Sequence, residues 1–186
     1  MMRRLFFLVV IAALAWSGYW FAGSTAKREA IAGWLSAQQS RGWIAEADEI
    51  AVQGYPNRFD TTLSGLELAD PASGVAWSAP SFRIYALSYA PNHIIASWPQ
   101  TQTISGPFGA LRIDSREMTG SVRFQPSTSL ALDETRIEMR GVDISAAEGW
   151  STGLGEGRFA LRADPAAEMP NTYDVFLRGS VLEIPE

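Results

Sequence analysis

A chain of 186 residues with 47% hydrophobic and 19% charged residues has the composition of a globular protein, not of a disordered one. Asp+Glu outnumber Lys+Arg by 20 to 15, which argues against a nucleic-acid partner, because phosphate contacts need clustered Lys and Arg. Cysteine is absent, so thiol catalysis, cysteine zinc sites, iron–sulfur clusters and disulfides are excluded.

Arg3 and Arg4 precede Leu5–Ala22, a run without a single charge, and the next charged residue is Lys27. As a helix this run is about 27 Å long, which just suffices for a hydrocarbon core of roughly 30 Å. Residues 1–26 therefore read as a transmembrane signal anchor. Ala13-Leu14-Ala15 also resembles the cleavage site of a secretory signal. Cutting there would leave Trp16, Tyr19, Trp20 and Phe21 at an exposed new terminus, so the uncleaved anchor is the favoured reading. Its aromatics are then expected at the membrane interface, with the two arginines on the cytoplasmic side. Either reading puts residues 27–186 outside the cytoplasm.

Lys27 to Arg41 reads as a helix in which Ile31, Trp34, Leu35 and Gln38 share one face and Gly42 is the stop. Residues 27–42 are thus a helical stem. From residue 43 onward the period changes to two. Leu111–Asp114, Met118–Gln125, Arg158–Ala163 and Tyr173–Arg178 alternate apolar with polar residues. Phe59, Thr61 and Leu63 share a face, whereas Leu66 and Leu68 fall on the opposite parity beyond Gly65, which predicts a β-bulge there. Turns are expected at Asp70-Pro71, Ala90-Pro91-Asn92, Gly106-Pro107, Gln125-Pro126-Ser127 and Asp164-Pro165. Short strands joined locally predict an antiparallel meander or sandwich for residues 43–186 rather than βαβ units. Val181-Leu182-Glu183-Ile184-Pro185-Glu186 breaks off while still alternating, so a truncated domain, or an edge completed by a partner, is expected.

Signals for chemistry are sparse. Gly153-Leu154-Gly155-Glu156-Gly157 runs into a strand pattern and carries a carboxylate, so it reads as a turn and not as a phosphate loop. His93 is the sole histidine and no Gly-x-Ser-x-Gly elbow accompanies it, which favours a structural role. Glu46, Asp48, Glu49, Asp60, Asp133 and Glu134 lack calcium-loop spacing and read as a solvated surface. No catalytic residue, metal ligand or cofactor is assigned, and the chain reads as a non-enzyme. The densest unusual region is Gly54–Gln102, where Tyr55, Phe59, Trp77, Phe82, Tyr85, Tyr89 and Trp98 stand among proline and polar residues. These seven are an aromatic core or an apolar groove for a greasy ligand.

Gly54-Tyr55-Pro56-Asn57-Arg58-Phe59-Asp60, Leu66-Glu67-Leu68-Ala69-Asp70-Pro71, Trp77-Ser78-Ala79-Pro80 and Ala86-Leu87-Ser88-Tyr89-Ala90-Pro91-Asn92-His93-Ile94-Ile95 are distinctive. With the N-terminal anchor they resemble an uncharacterised envelope family of bacteria, domain of unknown function 2125 (DUF2125). That family is in turn similar to the AsmA-like envelope proteins. This resemblance implies a curved antiparallel β-sheet on an inner-membrane helix, with the bulk of the chain periplasmic and an apolar face associated with lipid handling. It supplies no catalytic residues. The expected function is a membrane-tethered, non-catalytic domain that binds or helps transfer lipid or another apolar envelope component. The alternative is an envelope scaffold that recruits a protein partner through an exposed sheet edge. The motif itself has a physical reading: Gly54 and Pro56 make a corner, and Phe59 plugs the core with Arg58 and Asp60 on the opposite face.

Overall fold

The computed structural model describes residues 2–107, 109–125, 131–164 and 172–183. The expected anchor and stem are one uninterrupted helix, α1 (Met2–Ser40), about 58 Å long at ~1.5 Å per residue. Nothing between Ala22 and Lys27 breaks it, because Gly23 and Ser24 are tolerated in a helix with good formers on either side. It ends as expected at Gly42, whose φ of 89° lets the chain turn while the amides of Gly42 and Trp43 donate to Gln39 and Gln38 carbonyls. Within the stem, Leu35 is buried and Ile31 packs beside it, but Trp34 points to solvent.

Ten strands follow: β1 (Ile44–Glu46), β2 (Glu49–Gln53), β3 (Asp60–Asp70), β4 (Val75–Leu87), β5 (Ala90–Ser97), β6 (Thr101–Gly106), β7 (Gly109–Phe124), β8 (Leu132–Ala146), β9 (Ser151–Ala163) and β10 (Tyr173–Glu183). All pair antiparallel in one sheet of order β1-β3-β4-β5-β7-β8-β9-β10; β2 continues the line of β1 along β3, and β6 that of β5 between β4 and β7. The expected meander on a helix is therefore what the chain forms. Among the described residues no pairing joins β10 back to β1 or β2, so the sheet is open.

Three local expectations change. Gly153–Gly157 is not a turn but the middle of β9, where Gly153 pairs with Asp143 and Gly157 with Met139. At Gly157 a β-carbon would lie 2.8 Å from Leu154 Cδ2 and 2.9 Å from Met139 Cε, so glycine serves close packing there. The turn placed at Ala90–Asn92 falls instead at Ser88–Tyr89, and Pro91–His93 bulge within β5, where the register shifts between Ala86 and Leu87. Gly65 does reverse parity, but no residue is inserted: Ser64 pairs with Ser81 and Leu66 with Ala79 in one unbroken register. The turns at Asp70-Pro71 and Gly106-Pro107 stand, whereas Pro126-Ser127, Pro165 and Ile184–Glu186 lie outside the described residues.

Gly65 belongs to a crease that crosses the sheet. Inward side chains step by three rather than two in successive strands: Leu63 to Leu66, Ala79 to Phe82, Ser115 to Met118, Met139 to Val142 and Leu154 to Gly157. These steps share a register level, since Leu63 pairs with Phe82, and Met118 with Met139, which in turn pairs with Gly157. Gly65 and Gly141 have φ of 57° and 54°, a left-handed conformation that costs any other residue type about 1–2 kcal/mol. Asp48 occupies the space above Gly65, and Arg116 that above Gly141. Because these five strands reverse at the same level, one face of the sheet stays predominantly apolar on both sides of the crease.

Candidate functional site

The end of the sheet where β2 joins β3 and β4 joins β5 is where α1 docks. Trp16 Nε1–H donates to Pro56 O at 3.0 Å, Trp20 Nε1–H to Arg58 O at 2.7 Å, and Tyr19 OH to Ser88 O at 2.7 Å. Ser17 Oγ and Tyr55 OH share a 2.7 Å hydrogen bond, and Lys27 Nζ donates to Phe59 O at 3.2 Å. Trp20 stacks on Phe59 with centroids 5.9 Å apart and meets Tyr55 edge-on at 5.5 Å, while Phe21 stacks on Tyr55 at 5.8 Å. Trp20, Phe59 and Val52 form a small buried core. The loop closes on itself as well: Arg58 N–H donates to Gly54 O, Phe59 N–H to Ala86 O and Ser88 N–H to Asn57 O. Gly54 has a φ of 99°, and the Tyr55–Pro56 peptide is cis.

This dock corrects the picture of a free aromatic belt. Trp16, Tyr19, Trp20 and Phe21 all touch the β domain, but only Trp20 is buried; Tyr19 and Phe21 stay 47 and 61% exposed, so cleavage after Ala15 would still leave aromatic rings in solvent. What projects from the domain is Met2–Ala15, whose apolar side chains are exposed on every side. As a whole α1 is long and apolar enough to cross a membrane. Burial depresses the Lys27 ammonium below its usual range, and Asp60 nearby partly offsets this.

The second feature is the apolar face. Across the half of the sheet nearest the dock, Thr61, Ile84, Ala96, Gly120, Ile137, Phe159 and Leu177 occupy one row, each paired with the next. A parallel row carries Phe82, Met118 and Met139, and beyond the crease it is continued by Ala79, Ser115, Val142 and Leu154. Helix α1 covers this face only at its β1–β3 end, with Ile31 and Leu35 against Ala45, Leu63 and Leu66. The opposite face is charged. Arg140 reaches Glu117 at 3.0 Å, Arg136 reaches Glu134 at 2.6 Å, and Arg158 lies 3.8 Å from Glu138. Hydrogen bonds from Arg112, and then Thr101, hold the exposed Asp114 carboxyl below its usual range.

The seven aromatics do not converge on one groove. Trp77, Phe82 and Trp98 form an edge-to-face chain on the apolar face, with centroids 5.7 and 5.4 Å apart, and Trp77 Nε1–H donates to buried Gln102. Phe59 and Tyr55 belong to the dock. Tyr85 lies on the other face, under the Arg58 guanidinium at 5.7 Å, and Tyr89 caps an exposed turn. Tyr85, Arg58, Leu87, His93 and Ile95 line an apolar hollow of about 420 Å³. There His93 Nε2 meets Ser121 Oγ at 2.9 Å, a contact that no pattern in the sequence marks. No carboxylate orients that pair among the described residues, so it lacks the third member of a hydrolytic triad. Asp60 pairs with Arg58 at 2.8 Å, and no group of three His, Cys, Asp or Glu among the described residues is placed to hold a metal.

The dock had one legible signal. Trp16, Trp20, Gly23, Lys27, Ile31 and Leu35 fall at three- and four-residue spacing, a single helical stripe running through both segments. Dividing the helix at residue 26 hid it. Comparisons with curated proteins and with solved structures each return no match. A family model does match, over residues 20–185: the protein belongs to the family described as "Uncharacterized protein conserved in bacteria (DUF2125)".

Proposed function

We propose that this protein is a membrane-tethered, non-catalytic periplasmic domain of the bacterial inner membrane that binds lipid, or another apolar envelope component, along the apolar face of its sheet. The observation that carries this reading is the continuity of that face. It begins beside the docked helix, stays predominantly apolar across the crease, with Ser115 as a buried polar member, and runs to β10, with no second layer over β7–β10 among the described residues. An acyl chain is matched by such a surface because the strip is apolar along the strands as well as across them. Photo-crosslinking residues placed at Ile137 and Phe159, compared with Glu138 and Arg158 on the charged face, test it in intact bacterial membranes. Lipid adducts confined to the first pair are expected. Equal labelling of both faces, or none, sinks the reading.

One observation favours the scaffold alternative. On β10, Val175, Phe176 and Leu177 are 65, 55 and 75% exposed, and the strand's outer edge pairs with nothing among the described residues. Such an edge is a template for an added strand. A single dominant protein adduct from Phe176 or Val181, with no lipid adduct from Ile137, would favour it.

A further inference from the structure

We propose that the docked end of the β domain is seated in the membrane, with the Gly54–Phe59 loop and the Ser88–Tyr89 turn immersed in the interfacial layer of the leaflet on the domain's side. This rests on the reading of α1 as a retained anchor. Three observations carry it.

The first is length. Between Arg4 and the first docking residue, Trp16, lie only Leu5–Ala15, about 17 Å of helix against roughly 30 Å of hydrocarbon. Spanning the bilayer needs residues up to Phe21 or Ala22. Those same residues are the ones bonded to Pro56, Ser88 and Arg58 and stacked on Tyr55. The loop must therefore share their depth; thinning of the bilayer or reach of the arginine side chains reduces the mismatch by a few ångströms and does not remove it.

The second is backbone satisfaction. Irregular chain can enter the apolar boundary of a bilayer only where its polar groups are already paired. Here the carbonyls of Pro56, Arg58, Phe59 and Ser88 accept from Trp16, Trp20, Lys27 and Tyr19, and the amides of Arg58, Phe59 and Ser88 donate within the domain. Indole and phenol donors supply what water supplies to an ordinary surface loop.

The third is the order of side chains along the helix. Tyr55 lies beside Ser17 and Phe21, whereas the Arg58 guanidinium pairs with Asp60, which lies near Lys27. From deep to shallow the order is thus aromatic and then charged, which is the order of a membrane interface. Tyr55 and Tyr89, 54 and 66% exposed, present rings outward at this end.

The absence of cysteine makes the test direct. Single cysteines at Ala13, Asn57, Tyr89 and Ala72 of the full chain are spin-labelled and reconstituted in phosphatidylethanolamine–phosphatidylglycerol vesicles. Accessibility to oxygen and to a water-soluble nickel chelate then reports depth. Asn57 and Tyr89 are expected to show an oxygen-to-nickel ratio several-fold above that of Ala72, which lies on the turn at the far end of the sheet. If Ala13 is lipid-exposed while Asn57 and Tyr89 match Ala72, the immersion is refuted and the anchor stands. If Ala13 is aqueous, or the intact mass of protein isolated from bacterial membranes lacks residues 1–15, the anchor reading fails and the proposal falls with it.

Discussion

Gly23 of the helix lies directly against the ring of Phe59, so closely that a β-carbon there would sit 2.7 Å from Cζ. The neighbour in the way is a rigid ring, stacked on Trp20 and buried with it, so it has little freedom to move aside. Gly23→Val is expected to destabilise the dock by about 1–3 kcal/mol through overpacking. Gly33, with nothing within 4 Å of its own β-carbon position, is the control. Gly33→Ala should gain roughly 0.5–1 kcal/mol from helix propensity. Denaturant unfolding of the full chain in detergent, followed by tryptophan fluorescence, distinguishes the two; equal effects would contradict the dock.

Thr61 is fully buried in β3, and its hydroxyl has no hydrogen-bond partner. A buried unpaired hydroxyl costs about 1–3 kcal/mol, and valine has nearly the same shape. Thr61→Val is expected to raise the unfolding midpoint. A lowered midpoint would mean that the hydroxyl has a partner, such as an ordered water.

Gly65 tests the crease. Gly65→Ala introduces a side chain at a φ of 57° and into the space held by the Asp48 carboxylate, and should cost more than 1 kcal/mol. Combining it with Asp48→Ala should restore only part of the loss, because the second change frees space but leaves the left-handed backbone. Full rescue, measured in a double-mutant cycle, would show that crowding alone fixes glycine there.

Lys27 predicts a pH dependence. Its folded pKa is lowered from 10.5, first by burial, with Asp60 opposing. Between the two pKa values the unfolded chain binds more protons than the folded one, so stability rises with pH as Lys27 loses its charge. The gain is complete once pH exceeds the unfolded value and is absent well below the folded one. The wild-type curve minus that of Lys27→Met should therefore slope upward through the range just below pH 10.5. A flat difference would place Lys27 in solvent.

Much of the architecture was legible in one dimension because it depends on local periodicity. The uncharged run of Leu5–Ala22 marked a long apolar helix, and the alternation of Met118–Phe124 or Arg158–Ala163 marked half-buried strands. The reversal between Leu63 and Leu66 was visible too. Its meaning was not, because parity along one strand cannot reveal that Ser115–Met118 and Met139–Val142 reverse at the same level; that alignment exists only once strands are paired. Glycines misled for a related reason, since close packing at Gly157 and a turn use the same residue. Above all, the aromatic group Trp16–Phe21 carries an apolar body and a polar edge, which suits a lipid interface and a protein dock equally well. Hydropathy determined that this group belongs at a boundary. Only the tertiary structure decided that its partner is the Gly54–Phe59 loop, because the carbonyls that accept its hydrogen bonds come together only when the loop folds.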